Sequence, residues 1–255
     1  MKTKPIVPWV GGKRRLVSQL IEKMPEHKCY VELFAGGAAL FFMREQPAKV
    51  EIINDVNGEL VNLYRVVQHH LEEFIRQFKW AIISRQMFEW LKAASTDLMT
   101  DIQRAARFYY LQHTAFGGKA TGQNFGTATT ARAPSFLRIE DQLTDAYYRL
   151  SGVTVENLSW DVCFKKYDRP HTFIYADPPY WQLFGYGMEF GWEHYLKMAE
   201  LMKTCQSKVM LSINDHPDIR DAFSGFNIST TKINYTVGNS EASREPKQEL
   251  IITNY

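Results

Sequence analysis

The residues with the clearest chemical character stand together in Ile174-Tyr-Ala-Asp-Pro-Pro-Tyr-Trp181. An apolar run of strand character ends in a carboxylate, Asp177, and is followed by Pro178, Pro179 and Tyr180. Two consecutive prolines fix φ at two positions and contribute no backbone N–H, so the corner is stiff and its backbone offers acceptors. The Asp177 carboxylate and the Pro178 carbonyl suit the two hydrogens of a planar exocyclic amine such as that of adenine. Such a nitrogen is a poor nucleophile because its lone pair is delocalised into the ring. Gripping both hydrogens favours a more tetrahedral nitrogen that can attack a methyl sulfonium. A base stacked in a duplex cannot reach this corner and must swing out. Tyr180 then supplies a substitute stacking surface, worth roughly 1–3 kcal/mol per base. A purely structural turn accounts for Asp-Pro, but not for all four residues in one place.

Two further stretches have the makings of a cofactor site. In Val31-Glu-Leu-Phe-Ala-Gly-Gly37 a strand runs into a glycine turn that opens a helix, and the missing Cβ atoms allow a ligand close to the backbone. The paired Gly36 and Gly37 lack the Gly-x-Gly-x-x-Gly spacing of a dinucleotide fingerprint, which disfavours pyrophosphate. Asp55 ends the next strand run, Val50-Glu-Ile-Ile-Asn-Asp55, where a carboxylate accepts from both hydroxyls of a ribose. Taken alone, Asp55 reads as the N-cap of the following helix. Taken with the glycine turn, it points to adenosine without pyrophosphate, and so to S-adenosylmethionine. Near the start, Pro8-Trp-Val-Gly-Gly-Lys13 sets Trp9 and Lys13 around a Gly11-Gly12 turn leading into an amphipathic helix. By itself that motif is too short to assign.

Around these sites the chain alternates strands with helices, which predicts an α/β fold with a mostly parallel sheet. Strand character recurs at Gly152-Val-Thr-Val-Glu-Asn-Leu158, Lys208-Val-Met-Leu-Ser-Ile-Asn214, Phe226-Asn-Ile-Ser-Thr-Thr-Lys-Ile233 and Gln248-Glu-Leu-Ile-Ile-Thr-Asn-Tyr255. Helical spacing from Leu60 to Phe78 predicts one long helix, and further helices follow from about residue 86 to 111. A loop rich in Gly, Thr and Ala covers 116–135. With 255 residues and 45% apolar content the chain can bury a large core, and a net charge of +2 does not identify a partner. The distribution of charge says more. No Asp or Glu lies between Asp101 and Glu140, whereas Arg104, Arg107, Lys119, Arg132 and Arg138 do, as on a surface that meets phosphates. Cys29, Cys163 and Cys205 are scattered and predict reduced thiols without a metal site. No run has the length of a membrane span and no signal peptide is evident, so a cytoplasmic location is expected.

Trp9 to Lys13, Phe34 to Gly37, Asp55 and Asp177 to Tyr180 together, in this order, resemble the Dam-like (D12 class, α group) DNA adenine-N6 methyltransferases. The similarity extends to Leu211-Ser-Ile-Asn-Asp215 and the closing Glu249-Leu-Ile-Ile-Thr-Asn-Tyr255, nearly the whole chain. It implies a Rossmann-like methyltransferase core formed by 1–58 and 150–255, with a helical target-recognition insertion at 59–149. It implies catalysis by Asp177, Pro178, Pro179 and Tyr180, with S-adenosylmethionine contacted by Trp9, Gly12, Lys13 and Asp55 and by the turn Glu32, Phe34, Ala35, Gly36 and Gly37. Asp161 is the candidate for the acid that binds the cofactor adenine in that family, and Asp177 also faces the cofactor. It implies double-stranded DNA as the partner, with Lys119, Asn124, Arg132, Arg138 and Arg244 as candidate contacts, and no obligate protein partner is expected. Pro8 replaces a lysine usual in relatives that methylate GATC, and the segment 115–136 departs from their recognition hairpin, which leaves the target sequence open. Methylation of RNA, and a DNA-binding relative that no longer catalyses, are the alternative readings.

Overall fold

The computed structural model describes residues 3–118, 122–127, 135–136, 138–182, 190–233 and 247–255. Seven strands, β1 (Cys29–Glu32), β2 (Val50–Asn54), β3 (Thr154–Glu156), β4 (Thr172–Ala176), β5 (Lys208–Asn214), β6 (Asn227–Ile233) and β7 (Lys247–Thr253), form one sheet in the order β3-β2-β1-β4-β5-β7-β6. The first five pair in parallel, and β7 runs antiparallel between β5 and β6. β1 and β4 are buried along their whole length, and their apolar runs follow from helices covering both faces of the sheet.

The alternation of side chains along each strand sorts the core in two. Tyr30, Ile53, Phe173, Tyr175, Met210 and Ile251 face one cluster, and Val31, Ile52, Ile174, Val209, Leu211 and Ile252 face the other. The first face is covered by α1 (Val17–Glu22), α2 (Ala39–Met43), α3 (Gly58–His69), α4 (Leu71–Arg76), α5 (Arg85–Ala93), α6 (Asp101–Thr114) and α7 (Ile139–Leu150). The second is covered by α8 (Trp160–Tyr167), α9 (Trp192–Thr204) and α10 (Pro217–Ala222). Among the described residues no helix is long and apolar enough to cross a membrane.

The helix expected over residues 60–78 is two helices. His70 leaves helical geometry at φ −135° and ψ 38°, so α3 ends and α4 restarts within one residue. The helical segment between β2 and β3 has no separate core, since its apolar residues join the first cluster. A buried ionic group fastens it as well: Glu51 of β2 accepts from Arg149 of α7 and from Arg44, and Arg149 also donates to the Phe41 carbonyl at 3.0 Å. The N-terminal strap lies against α6, where His113 Nε2 meets the Ile6 carbonyl at 2.9 Å and Gln112 Nε2 donates to the Pro8 carbonyl at 3.3 Å.

Candidate active site

β1 pairs in parallel with β2 on one side and with β4 on the other, so the strand order reverses beside β1 and opens a crevice at the carboxyl ends of these strands. One cleft fills that crevice. It runs from Asp55 after β2, past the glycine turn after β1, to Asp177, Pro178 and Pro179 after β4, with Trp9, Gly12 and Lys13 along its wall.

The Asp55 end is tied by local backbone. Asp55 Oδ2 accepts from Gly36 N and Oδ1 from Asn57 N, both at 2.9 Å, which joins the ends of β1 and β2. The helix cap is Asn57, whose side chain accepts from Glu59 N and Leu60 N, so Asp55 does not serve as the N-cap of α3. Burial raises the Asp55 carboxyl above its ordinary range against these N–H donors. Gly36 has φ +47°, and a Cβ there would lie 2.6 Å from Trp9 Nε1. The space expected to admit a ligand at Gly36 therefore receives the Trp9 indole, and the close approach is internal packing that shapes the cleft wall. Tyr64 Oη donates to the Gly36 carbonyl at 2.5 Å and holds the turn from below.

The Asp177 end is tied by distant side chains. Lys13 Nζ lies 2.6 Å from Oδ1 and 2.9 Å from Oδ2 of Asp177, and Ser212 Oγ of β5 donates to Oδ1 at 3.2 Å. Tyr175 Oη lies 2.7 Å from Ser212 Oγ behind this contact. Burial pushes the Asp177 carboxyl up to about 6, with Lys13 the largest opposing influence. The Asp177 side chain keeps 18% exposure and Lys13 3%, and both line the cleft. Ser212 had a signal in Leu211-Ser-Ile-Asn-Asp215, but a hydroxyl in a buried strand has no assignable partner until β4 and β5 are paired.

Other candidates fall less simply. Glu32 lines the cleft, but its carboxylate accepts from Tyr30 Oη at 2.8 Å and Phe41 N at 3.1 Å, and burial pushes it up to about 8. Its side chain thus stitches β1 to α2. Phe34 and Ala35 line the cleft. Asp161 does not: although Trp160 stacks on Phe34 at 6.3 Å, Asp161 Oδ2 holds Lys197 Nζ at 2.6 Å. Against the upward push of partial burial, that contact brings the Asp161 carboxyl down to about 2. Tyr180 is beside the cleft, with its ring 7% exposed in the second core cluster, its hydroxyl on Glu249 and Lys13 Nζ 4.6 Å from its centroid.

Of the acid-free window, two cations have internal work. Arg104 pairs with Glu59 and Asp101, and Arg107 donates to the Leu91 and Lys92 carbonyls. Arg138 is exposed beside Asp141 at 3.1 Å, and exposed Asn124 accepts Phe116 N on its carbonyl in a loop closed by the Ala115–Phe125 bridge. Lys119, Arg132 and Arg244 lie outside the described residues.

The D12 class N6 adenine-specific DNA methyltransferase family model matches residues 9–237. The chain is 30% identical over 229 residues to the type II methyltransferase M.CviBI of Paramecium bursaria Chlorella virus NC1A, covering 88% of this chain and 87% of that protein. It is 28% identical to the type II methyltransferase M1.LlaDCHI of Lactococcus lactis subsp. cremoris, with 99% and 95% covered. It is 26% identical to a DNA adenine methylase of Haemophilus influenzae, with 98% and 93% covered. Strand order, the carboxylate at each end of the cleft and this match over most of the chain agree: the protein belongs to the D12 class of N6 adenine-specific DNA methyltransferases.

Proposed function

We propose that the cleft between Asp55 and Asp177 seats S-adenosylmethionine and delivers its methyl group to the N6 amine of an adenine turned out of double-stranded DNA. The observation that carries this reading is the placement of two carboxylates at opposite ends of one cleft, Asp55 among N–H donors and Asp177 against Lys13. The residues fit the cofactor chemically. Each Asp55 oxygen uses one lone pair on a backbone N–H and retains one for a ribose hydroxyl. Trp9, Gly12, Phe34, Ala35, Gly36, Gly37 and Lys13 form the wall between the two acids, with Glu32 beneath it. When bound there, the cofactor contributes an electrophilic methyl on a sulfonium.

The chain's own residues prepare the amine. Asp177 and the Pro178 carbonyl each accept a hydrogen bond from the amine and Pro179 stiffens the corner; positive charge that grows on the nitrogen as the sulfur–methyl bond breaks falls between two oxygens, and the methylated amine then gives up its surplus proton to water, with a neutral thioether as the leaving group. Lys13 keeps Asp177 ionised in spite of burial, which an acceptor requires. Tyr180 stacks on the base once Lys13 draws back from its ring. Asp161 meets the cofactor adenine from the first turn of α8 once Lys197 releases it. The insertion at 59–149 contacts the duplex through Lys119, Asn124, Arg132 and Arg138, Arg244 adds a contact from the C-terminal part, and 1–58 with 150–255 carry the chemistry. The protein works in the cytoplasm, where DNA of a bacterium or an infecting phage is accessible.

The test is Asp177→Ala assayed with tritiated cofactor on duplex DNA. We expect the variant to fold and methyl transfer at saturating cofactor to fall by roughly 10²-fold or more. Full transfer in this variant would remove the mechanism, and faster transfer to RNA of equal length by the wild type would redirect the substrate.

A further inference from the structure

The corner after β4 poses a mechanical problem. Pro178 and Pro179 have no N–H, so this segment cannot be pinned by donating from either residue. It must be held through its oxygens, and the oxygen meant for the substrate has to stay free.

The surrounding elements meet both conditions. Tyr195 of α9 donates its hydroxyl to the Pro179 carbonyl at 2.5 Å. Asn214, the last residue of β5, donates Nδ2 to the Trp181 carbonyl at 3.1 Å, and Trp181 Nε1 donates to Asp218 at 2.9 Å. Among the described residues, no hydrogen bond ends on the Pro178 carbonyl, and Pro178 lines the cleft. Tyr195 itself is fully buried, its ring packed by Phe190 at 5.0 Å and by Trp181 and Trp192 at 5.7 Å. Water therefore does not compete for its hydroxyl, and the ring has nowhere to swing.

The geometry points to Tyr195, supported by Asn214, as the positioning residue that aims the Pro178 carbonyl at the substrate amine. The linkage is short. Each peptide unit is planar, and the proline ring fixes φ of Pro179, so ψ of Pro179 is the single soft torsion between the carbonyl that Tyr195 holds and the carbonyl that faces the cleft. Anchoring the Pro179–Tyr180 peptide plane leaves the Pro178 carbonyl almost no freedom. Asn214 fixes the next anchor two residues on, and Ser212 fixes Asp177 on the other side. Both acceptors of the amine are thus held by side chains from a strand and a helix that never touch the amine.

This inference rests on the proposed role of Asp177 and Pro178, and its test separates the two. Tyr195→Phe keeps the ring and removes the hydroxyl. The single-turnover rate of methyl transfer, the KM for cofactor, the affinity for duplex DNA and the melting temperature are measured for Tyr195→Phe, Asn214→Ala, the double variant and Asp177→Ala. A misaimed group costs up to about 10²-fold in rate, so we expect Tyr195→Phe to transfer at least about tenfold more slowly with cofactor KM and DNA affinity unchanged. The double variant should be no slower than the product of the two single effects predicts, since both changes release one segment. A wild-type transfer rate in Tyr195→Phe with Asp177→Ala inactive would overturn the positioning role alone. Loss of cofactor affinity in step with the rate would overturn it too, as the mark of general loosening. An active Asp177→Ala would instead overturn the reading beneath it.

Discussion

The two ends of the cleft each place an aspartate just past a buried parallel strand, and burial raises both carboxyls. They differ in what faces them. Asp55 is met by two backbone N–H groups from Gly36 and Asn57, neutral donors fixed by the turn itself. Asp177 is met by an ammonium from Lys13 and a hydroxyl from Ser212, charge and donor brought from far along the chain. The contrast separates two tasks for one residue type. In the proposed reading Asp55 accepts from neutral hydroxyls and is oriented by fixed neutral donors, whereas Asp177 accepts from an amine that gains positive charge and is kept ionised in a buried place by Lys13.

Removing Lys13 should break that contrast most sharply. In Lys13→Ala, burial acts on Asp177 without its main opponent, so its carboxyl rises above about 6 and more of it is protonated at neutral pH. The ionised fraction in the wild type falls as pH drops through about 6, and in the variant it falls at a higher pH. We expect the acid limb of the transfer rate to move upward and the rate at pH 7 to fall with the ionised fraction of Asp177, by about tenfold for each unit that the limb passes above pH 7. A pH–rate profile checks this, and an unmoved acid limb would show that Lys13 does not control the acid.

Asp55→Asn should sharpen the comparison from the other end. The amide oxygen still accepts a backbone N–H, but the charge is lost. A hydrogen bond to a charged acceptor contributes about 1.5–3 kcal/mol, so cofactor KM should rise by roughly tenfold or more. The saturating rate and the acid limb should stay where they are, which steady-state kinetics across pH would show.

The smallest effect is expected at Arg138, which does not line the cleft. Its exposed pair with Asp141 is worth about 0.2–1 kcal/mol, so Arg138→Ala should leave the melting temperature nearly unchanged. If Arg138 meets a phosphate, the salt slope of DNA affinity should fall by about 0.9. An unchanged slope would take this residue off the DNA surface.

How far each end could be read from sequence follows the same contrast. The strands, the glycine turn and the acids after β2 and β4 were legible because apolar runs bounded by turn residues are local signals. Asp55 has its hydrogen-bond partners Gly36 and Asn57 within twenty residues, so the elements that carry this end are local signals. At Asp177 the acid was evident, but Ser212 and Tyr195 were not, because their contacts exist only after β5 and α9 have packed beside β4. Distance along the chain also explains the contacts that were not legible. Arg104 looked free inside an acid-free window, yet Glu59 reaches it from α3 outside that window. Asp161 looked available, yet Lys197 comes to it from α9. The Gly36 turn was recognised, but the indole that fills it belongs to Trp9, before β1.

The most direct test of the central claim is a crystal structure with a cofactor analogue and a duplex oligonucleotide carrying a target adenine. We expect the extruded adenine with one N6 hydrogen directed at an Asp177 oxygen and the other at the Pro178 carbonyl, and Lys13 displaced from the Tyr180 ring. An adenine whose amine lies elsewhere, with Lys13 still covering that ring, would contradict it.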